Sequence, residues 1–339
     1  MTQVNTSNAA ITTTAPAISV PSVSNASMLV ELSISSWTGR KLDKRASQEV
    51  TDQARAAKGV ANVNKKLLGD CAELDAITKF VANARNVHYA STAPWSDTGL
   101  RILPTARYFK YHNQMTGLQN EFENLINQFL QAYDWEISQA QVKLGDLFNP
   151  DEYPTADSLR SKFRFNINYL PLPTAGDFRV DMEQDALNTL KSHYENFYSN
   201  QLQTAMRDIW TRTHEALAKM SERLDYTDDS TKKIFRDSLV ENVLEVVDLL
   251  GDFNISGDAQ MTAMKERLED AMRGVTPEAL REDAYLRAET KRNVDAVLKS
   301  LPSLDMGEPT VLVRKTLLAN SSMHQDEPGS IAVLPSLDM

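Results

Sequence analysis

Residues 105–145 read TARYFKYHNQMTGLQNEFENLINQFLQAYDWEISQAQVKLG, and they place Met115, Leu118, Phe122, Leu125, Phe129 and Ala132 at alternating spacings of three and four. Apolar residues at that spacing line one side of an α-helix, and sustained alternation makes a heptad seam. Glu121, Glu123, Asp134 and Glu136 fall on what reads as the opposite, acidic face. The stretch predicts one long amphipathic helix. A second is predicted over 183–224, where Leu187, Leu190, Tyr194 and Phe197 are followed, after a phase shift at Gln201, by Met206, Ile209, Thr213, Leu217, Met220 and Leu224. Two such helices predict an antiparallel coiled-coil pair and a mainly α fold.

Between them the period changes. Phe163, Phe165, Ile167 and Tyr169 alternate with polar residues, and after Pro171–Gly176 so do Phe178, Val180 and Met182. Period two on both sides of a Pro/Gly turn predicts a small β-hairpin over 163–182. Upstream, Met28-Leu-Val-Glu-Leu-Ser-Ile-Ser suggests a strand, followed by helices at 42–57 and 63–86 and an irregular loop at 87–104. Cys71 lies in the apolar stripe of the second of these helices and reads as a small buried hydrophobe. Downstream, helices are expected at 231–250, 258–273 and 277–299, the last opened by Thr276-Pro277-Glu278 as N-cap, first-turn proline and dipole-complementing acid. Residues 1–26 and 301–339 lack periodicity and are expected to be disordered tails around one helical domain, 27–300.

Composition narrows the function classes. The net charge of −10 argues against coating nucleic acid or anionic membrane with the whole surface. No stretch approaches the roughly 18 apolar residues of a membrane span. The start of the chain has no signal-peptide pattern, and the single cysteine permits no intrachain disulfide, so a cytoplasmic setting is expected. Charge is unevenly spread: residues 40–66 hold eight basic and three acidic side chains, whereas residues 225–258 hold nine acidic and three basic.

Chemistry-bearing motifs are sparse. No two of the five histidines are three or four apart, and there is no HExxH, no cysteine pair, no phosphate-cradling glycine loop and no GxSxG. No catalytic residue, metal ligand or cofactor site is expected, and the chain reads as a non-enzyme. Nucleic acid is an alternative target on two grounds. One is the basic stretch with Lys41, Lys44 and Arg45; the other is Arg107-Tyr-Phe-Lys110-Tyr-His, where cations interleave with aromatics as in stacking platforms. The hexapeptide LPSLDM at 301–306 recurs unchanged at 334–339. With Leu301, Leu304, Met306 and Leu334, Leu337, Met339 as anchors, the two copies read as tethered ligands for one protein partner.

Three runs, MLVELSISSWTGRKLD, VHYASTAPWSDTGLRILPT and LGDLFNPDEYPTADSLRSKFRFNINYLPLPTAGDFRV, resemble a phage- and prophage-encoded family known as a conserved domain of unknown function, most clearly over residues 28–185. The resemblance implies an accessory role in the cytoplasm of an infected bacterium. It also implies genomic neighbours that include a MoxR-like AAA ATPase, a candidate protein partner, and a von Willebrand A-domain protein. It supplies no catalytic residues. Taken together, the expectation is an assembly or adaptor protein acting through protein–protein contacts, homo-oligomerisation included, with a nucleic-acid-associated factor in phage DNA metabolism as the alternative.

Overall fold

The computed structural model describes residues 25–172, 184–226, 233–255 and 257–302. The protein is mainly helical with a small antiparallel sheet. Strand β1 (Ser27–Ser35) is followed by β2 (Arg40–Asp43), α1 (Lys44–Gln53), β3 (Val63–Lys66), α2 (Ala72–Ser91), β4 (Ala93–Pro94) and β5 (Arg101–Pro104). Helix α3 (Tyr108–Leu144) leads through the short α4 (Ala156–Arg160) to β6 (Arg164–Pro171). Among the described residues that follow are the helices α5 (Gln184–Leu224), α6 (Ser238–Asp252), α7 (Ala259–Ala271), α8 (Pro277–Glu282) and α9 (Ala284–Ser300).

The sheet has the order β4-β5-β1-β6, and β2 pairs separately with β3. Because side chains alternate faces along a strand, β1 serves two cores at once. Leu29, opposite Ile102 of β5, joins a cluster built mostly from α5 to α9. Its neighbour Val30, with Leu103 and Ile34, joins a second cluster built from α2, α3 and β6. The strand is therefore a wall between two hydrophobic cores.

In the second cluster α2 presents Leu74, Ile77, Phe80, Val81 and Ala84 to α3, and Phe80 stacks on Phe122 with ring centroids 6.1 Å apart. Phe163 and Phe165 close the other side against Phe122 and Phe129. The buried positions of α3 are Tyr111, Met115, Phe122, Ile126, Phe129, Tyr133, Glu136 and Ala140. This drifts from the heptad reading: Leu118 and Leu125 are only partly buried, while Ile126 and Tyr133 take the centre. A straight 3.6-residue helix on a globular core turns its face in this way.

Several expectations change. The two long helices do not seat their apolar faces on each other: α3 packs on α2 and the sheet, and α5 packs on α6 and α9. A heptad seam states that one face is buried and leaves its partner open. The first arm of the expected hairpin is β6, but it pairs along its length with β1, from Met28 opposite Pro171 to Ser35 opposite Arg164. The second arm, 178–182, lies outside the described residues. The helix expected over 63–86 is split. Val63–Lys66 is strand, Gly69 turns the chain at φ +63°, and the helix starts after Cys71 and runs on to Ser91. Part of the loop expected over 87–104 is the edge of the sheet, with Trp95 buried.

The helix expected over 277–299 is two helices. Thr276 caps the first through Ala279 N, as its sequence indicates, and Asp283 starts the second by accepting from the amides of Tyr285 and Leu286. Among the described residues, no helix is long and apolar enough to cross a membrane.

Candidate functional site

The densest chemistry lies where α2 begins against the middle of α3. The left-handed turn at Gly69 breaks the chain away from β3, so Cys71 occupies the extended position just before α2, and Glu73 falls in the helix's first turn. Opposite them, Glu136 follows Phe129 and Tyr133 at spacings of seven and three, which keeps it on the buried side of α3. The Cys71 Sγ and one carboxylate oxygen each of Glu73 and Glu136 all lie within 4.8 Å of one another, the only such group among the described residues. Within it, Cys71 Sγ donates to Glu73 Oε2 across 3.6 Å.

Electrostatically the group is unbalanced. Glu136 is 5% exposed, and its Oε2 is buried with no hydrogen-bond partner. Burial pushes the Cys71 thiol up to about 11, and the charges of Glu136 and Glu73 push the same way. Cys71 also lines a cleft of about 380 Å³ beside Gly39, Gly69 and Asp75, which gives the group a route to solvent.

Glu136 was read as part of an acidic outer face. The signal that places it inside is the seam itself, since Met115, Phe122, Phe129 and Glu136 follow one another at intervals of seven.

The basic stretch is divided. Lys65 is buried, within 2.8 Å of Glu152 and 3.2 Å of Asp43. Burial pulls its ammonium down, but the two carboxylates outweigh that and hold it above its usual value. Lys41 reaches Glu152 at 3.7 Å, and Arg45 pairs with Glu49 on the surface of α1. Lys44 is exposed, with no ion pair among the described residues, as are Arg40, Arg55 and Lys58.

The aromatic-basic motif does not form a surface platform. Arg107 is 1% exposed and faces Asp252 and Glu245, Tyr111 is buried, and Lys110 pairs with Asp248. All three acids belong to α6, whose acidic surface takes up these cations. Leu301 lies partly buried against the α5–α9 cluster at the end of α9. Leu304, Met306, Leu334, Leu337 and Met339 lie outside the described residues.

Two features escaped the sequence reading. Arg212 of α5 donates to the carbonyls of Tyr89 at 2.7 Å and Thr92 at 3.0 Å, and so satisfies the carbonyl end of α2. Beside it, burial pushes the Asp208 carboxyl above the usual carboxylate range, against the pull of Arg212 and Arg101. The other is on the outside of α3: Trp135 is 61% exposed and Val142, two turns on, is 82% exposed. Comparison with protein-family models, with curated proteins and with solved structures finds no match to this chain.

Proposed function

We propose that the protein is a non-enzymatic, phage-encoded assembly or adaptor protein that works through protein–protein contacts, including contacts with further copies of itself. The observation that carries this reading is the pair Trp135 and Val142, seven residues apart on one side of α3 and left open to water. Tryptophan is the residue most often found at the energetic centre of protein interfaces, where a pocket on the partner covers it. The flanking Gln131, Asp134 and Ser138 are polar, as at an interface rim. The phage setting, the cytoplasm of an infected bacterium and an AAA ATPase as a partner rest on the family resemblance of residues 28–185. The duplicated LPSLDM supports a second contact, with Leu301, Leu304 and Met306 and their repeats as anchors.

Light scattering on the purified chain tests the central claim. The expected mass exceeds the 38.0 kDa monomer at micromolar concentration, and Trp135→Glu with Val142→Glu returns it to the monomer. A monomer throughout would overturn self-association through this face.

A second reading, nucleic-acid binding, is favoured by the exposed Arg40, Lys44, Arg55 and Lys58, which lack ion pairs among the described residues. Arg107 and Lys110 give it no support, since α6 already holds them. Binding through the first group would weaken steeply with salt. Neutralising Arg40, Lys44, Arg55 and Lys58 together should weaken it at any salt concentration. Absence of any binding to single or double strands at low salt removes this reading.

A further inference from the structure

We infer that Cys71, Glu73 and Glu136 form a binding site for one divalent transition-metal ion, with zinc as the best fit, that clamps the start of α2 to the middle of α3. Two independent observations meet here. The first is the convergence of a sulfur and two carboxylate oxygens within 4.8 Å, from residues brought together by folding. The second is Glu136 itself, 5% exposed, whose carboxylate enters the group with one oxygen and whose Oε2 has no hydrogen-bond partner. Protein interiors rarely leave a buried carboxylate oxygen without a protein donor or a cation. A cation between the three atoms supplies what is missing.

The spacing suits a small ion. Zinc–sulfur and zinc–oxygen bonds of about 2.3 and 2.1 Å at a tetrahedral angle put the two donor atoms about 3.6 Å apart. Cys71 Sγ and Glu73 Oε2 are 3.6 Å apart already. A side-chain adjustment of Glu136 would complete the triangle, and the cleft that Cys71 lines lies beside it. A sulfur donor selects zinc-like ions over magnesium or calcium, which take oxygen alone. Binding converts the thiol to a metal-bound thiolate and releases one proton to solvent. The site is independent of the proposed adaptor role: Glu136 is buried where Trp135 and Val142 are exposed, and loss of the site would leave self-association through Trp135 testable.

Cobalt substitution on the full-length chain is the direct test. Cys71 is the single cysteine, so any thiolate-to-cobalt charge-transfer absorption in the near ultraviolet reports this site alone. Metal-free protein titrated with Co²⁺ should develop that band to saturation at one equivalent, and Zn²⁺ should displace it. Cys71→Ser should abolish it. Glu136→Gln should weaken binding at least about tenfold, and Glu73→Gln, at a part-exposed position where folding is not at risk, should do likewise. No sulfur band at saturating cobalt overturns the inference. So does a band whose affinity neither glutamine variant changes, since that would be a thiol binding metal without its neighbours.

Discussion

Arg107 donates from Nη1 to Asp252 Oδ2 across 2.8 Å, joining the entry of α3 to the end of α6 from positions 145 residues apart. Arg107 has 1% of its side chain exposed and Asp252 29%, so the guanidinium is the member that cannot recover hydration if the pair is broken. Removing one partner of such a pair costs more than the pair contributes. Asp252→Ala should therefore lower unfolding stability by roughly 3 kcal/mol. Arg107→Leu combined with Asp252→Ala should lower it by less than Asp252→Ala alone. Urea unfolding of the cycle measures this, and additive losses would show that the two residues act separately.

His88 supplies a pH prediction. Its ring lies 2.7 Å from the Tyr111 hydroxyl, and burial, assisted by the charge of Arg101, pulls its pKa down to about 4. In the unfolded chain the value is about 6.5. Between those limits the unfolded state takes up a proton that the folded state refuses, so stability rises with pH. The contribution is complete above about pH 6.5 and is lost as pH falls toward 4. Wild-type protein should lose about 2 kcal/mol from this site between pH 7.5 and pH 5. His88→Gln should remove that part of the pH dependence; an unchanged slope in the variant would show that His88 is not its source.

Asp283 separates α8 from α9 by accepting from the amides of Tyr285 at 2.8 Å and Leu286 at 3.0 Å. Loss of an N-cap oxygen costs about 1 kcal/mol. Thermal unfolding should show that loss for Asp283→Ala and much less of it for Asp283→Asn, which keeps an acceptor in place. Equal losses would assign the effect to charge and not to capping.

The compact unit ends at Leu301, whose side chain packs partly against the α5–α9 cluster. A chain stopped after Pro302 should melt at the wild-type temperature. One stopped after Ser300 should lose about 1 kcal/mol through the missing apolar contact. If both melt alike, Leu301 belongs with the residues that follow it.

How far the fold can be read from the chain depends on the range of the forces involved. The lengths of α3 and α5, the start of α8 at Thr276 and the burial of Cys71 are local or periodic properties, and they were legible. What α3 packs against was not, because apolar spacing names a face and never its partner. Arg107 shows the same limit: beside Tyr108 and Lys110 it reads as a surface cation, and only Asp252 and Glu245, far downstream, explain its burial. β6 was recognisable as a strand, but its pairing with β1, near the other end of the domain, was not. The thiol–carboxylate group was hidden by residue type and not by period. Glu136 lies seven residues after Phe129, on the same seam, but its charge makes it read as surface.

The placement of β1 as a wall between two cores also bears on how the protein is made. Glu31 and Asn168 face each other across the β1–β6 ladder, although they are 137 residues apart. At synthesis rates of about 5–20 residues per second, β1 leaves the ribosome roughly 7–27 s before β6 exists to cover its open edge. During that interval it presents apolar side chains on both faces and a row of unpaired amides and carbonyls. Such a nascent segment is a natural client for a chaperone, and the point of translation at which β6 emerges decides when that protection is no longer needed.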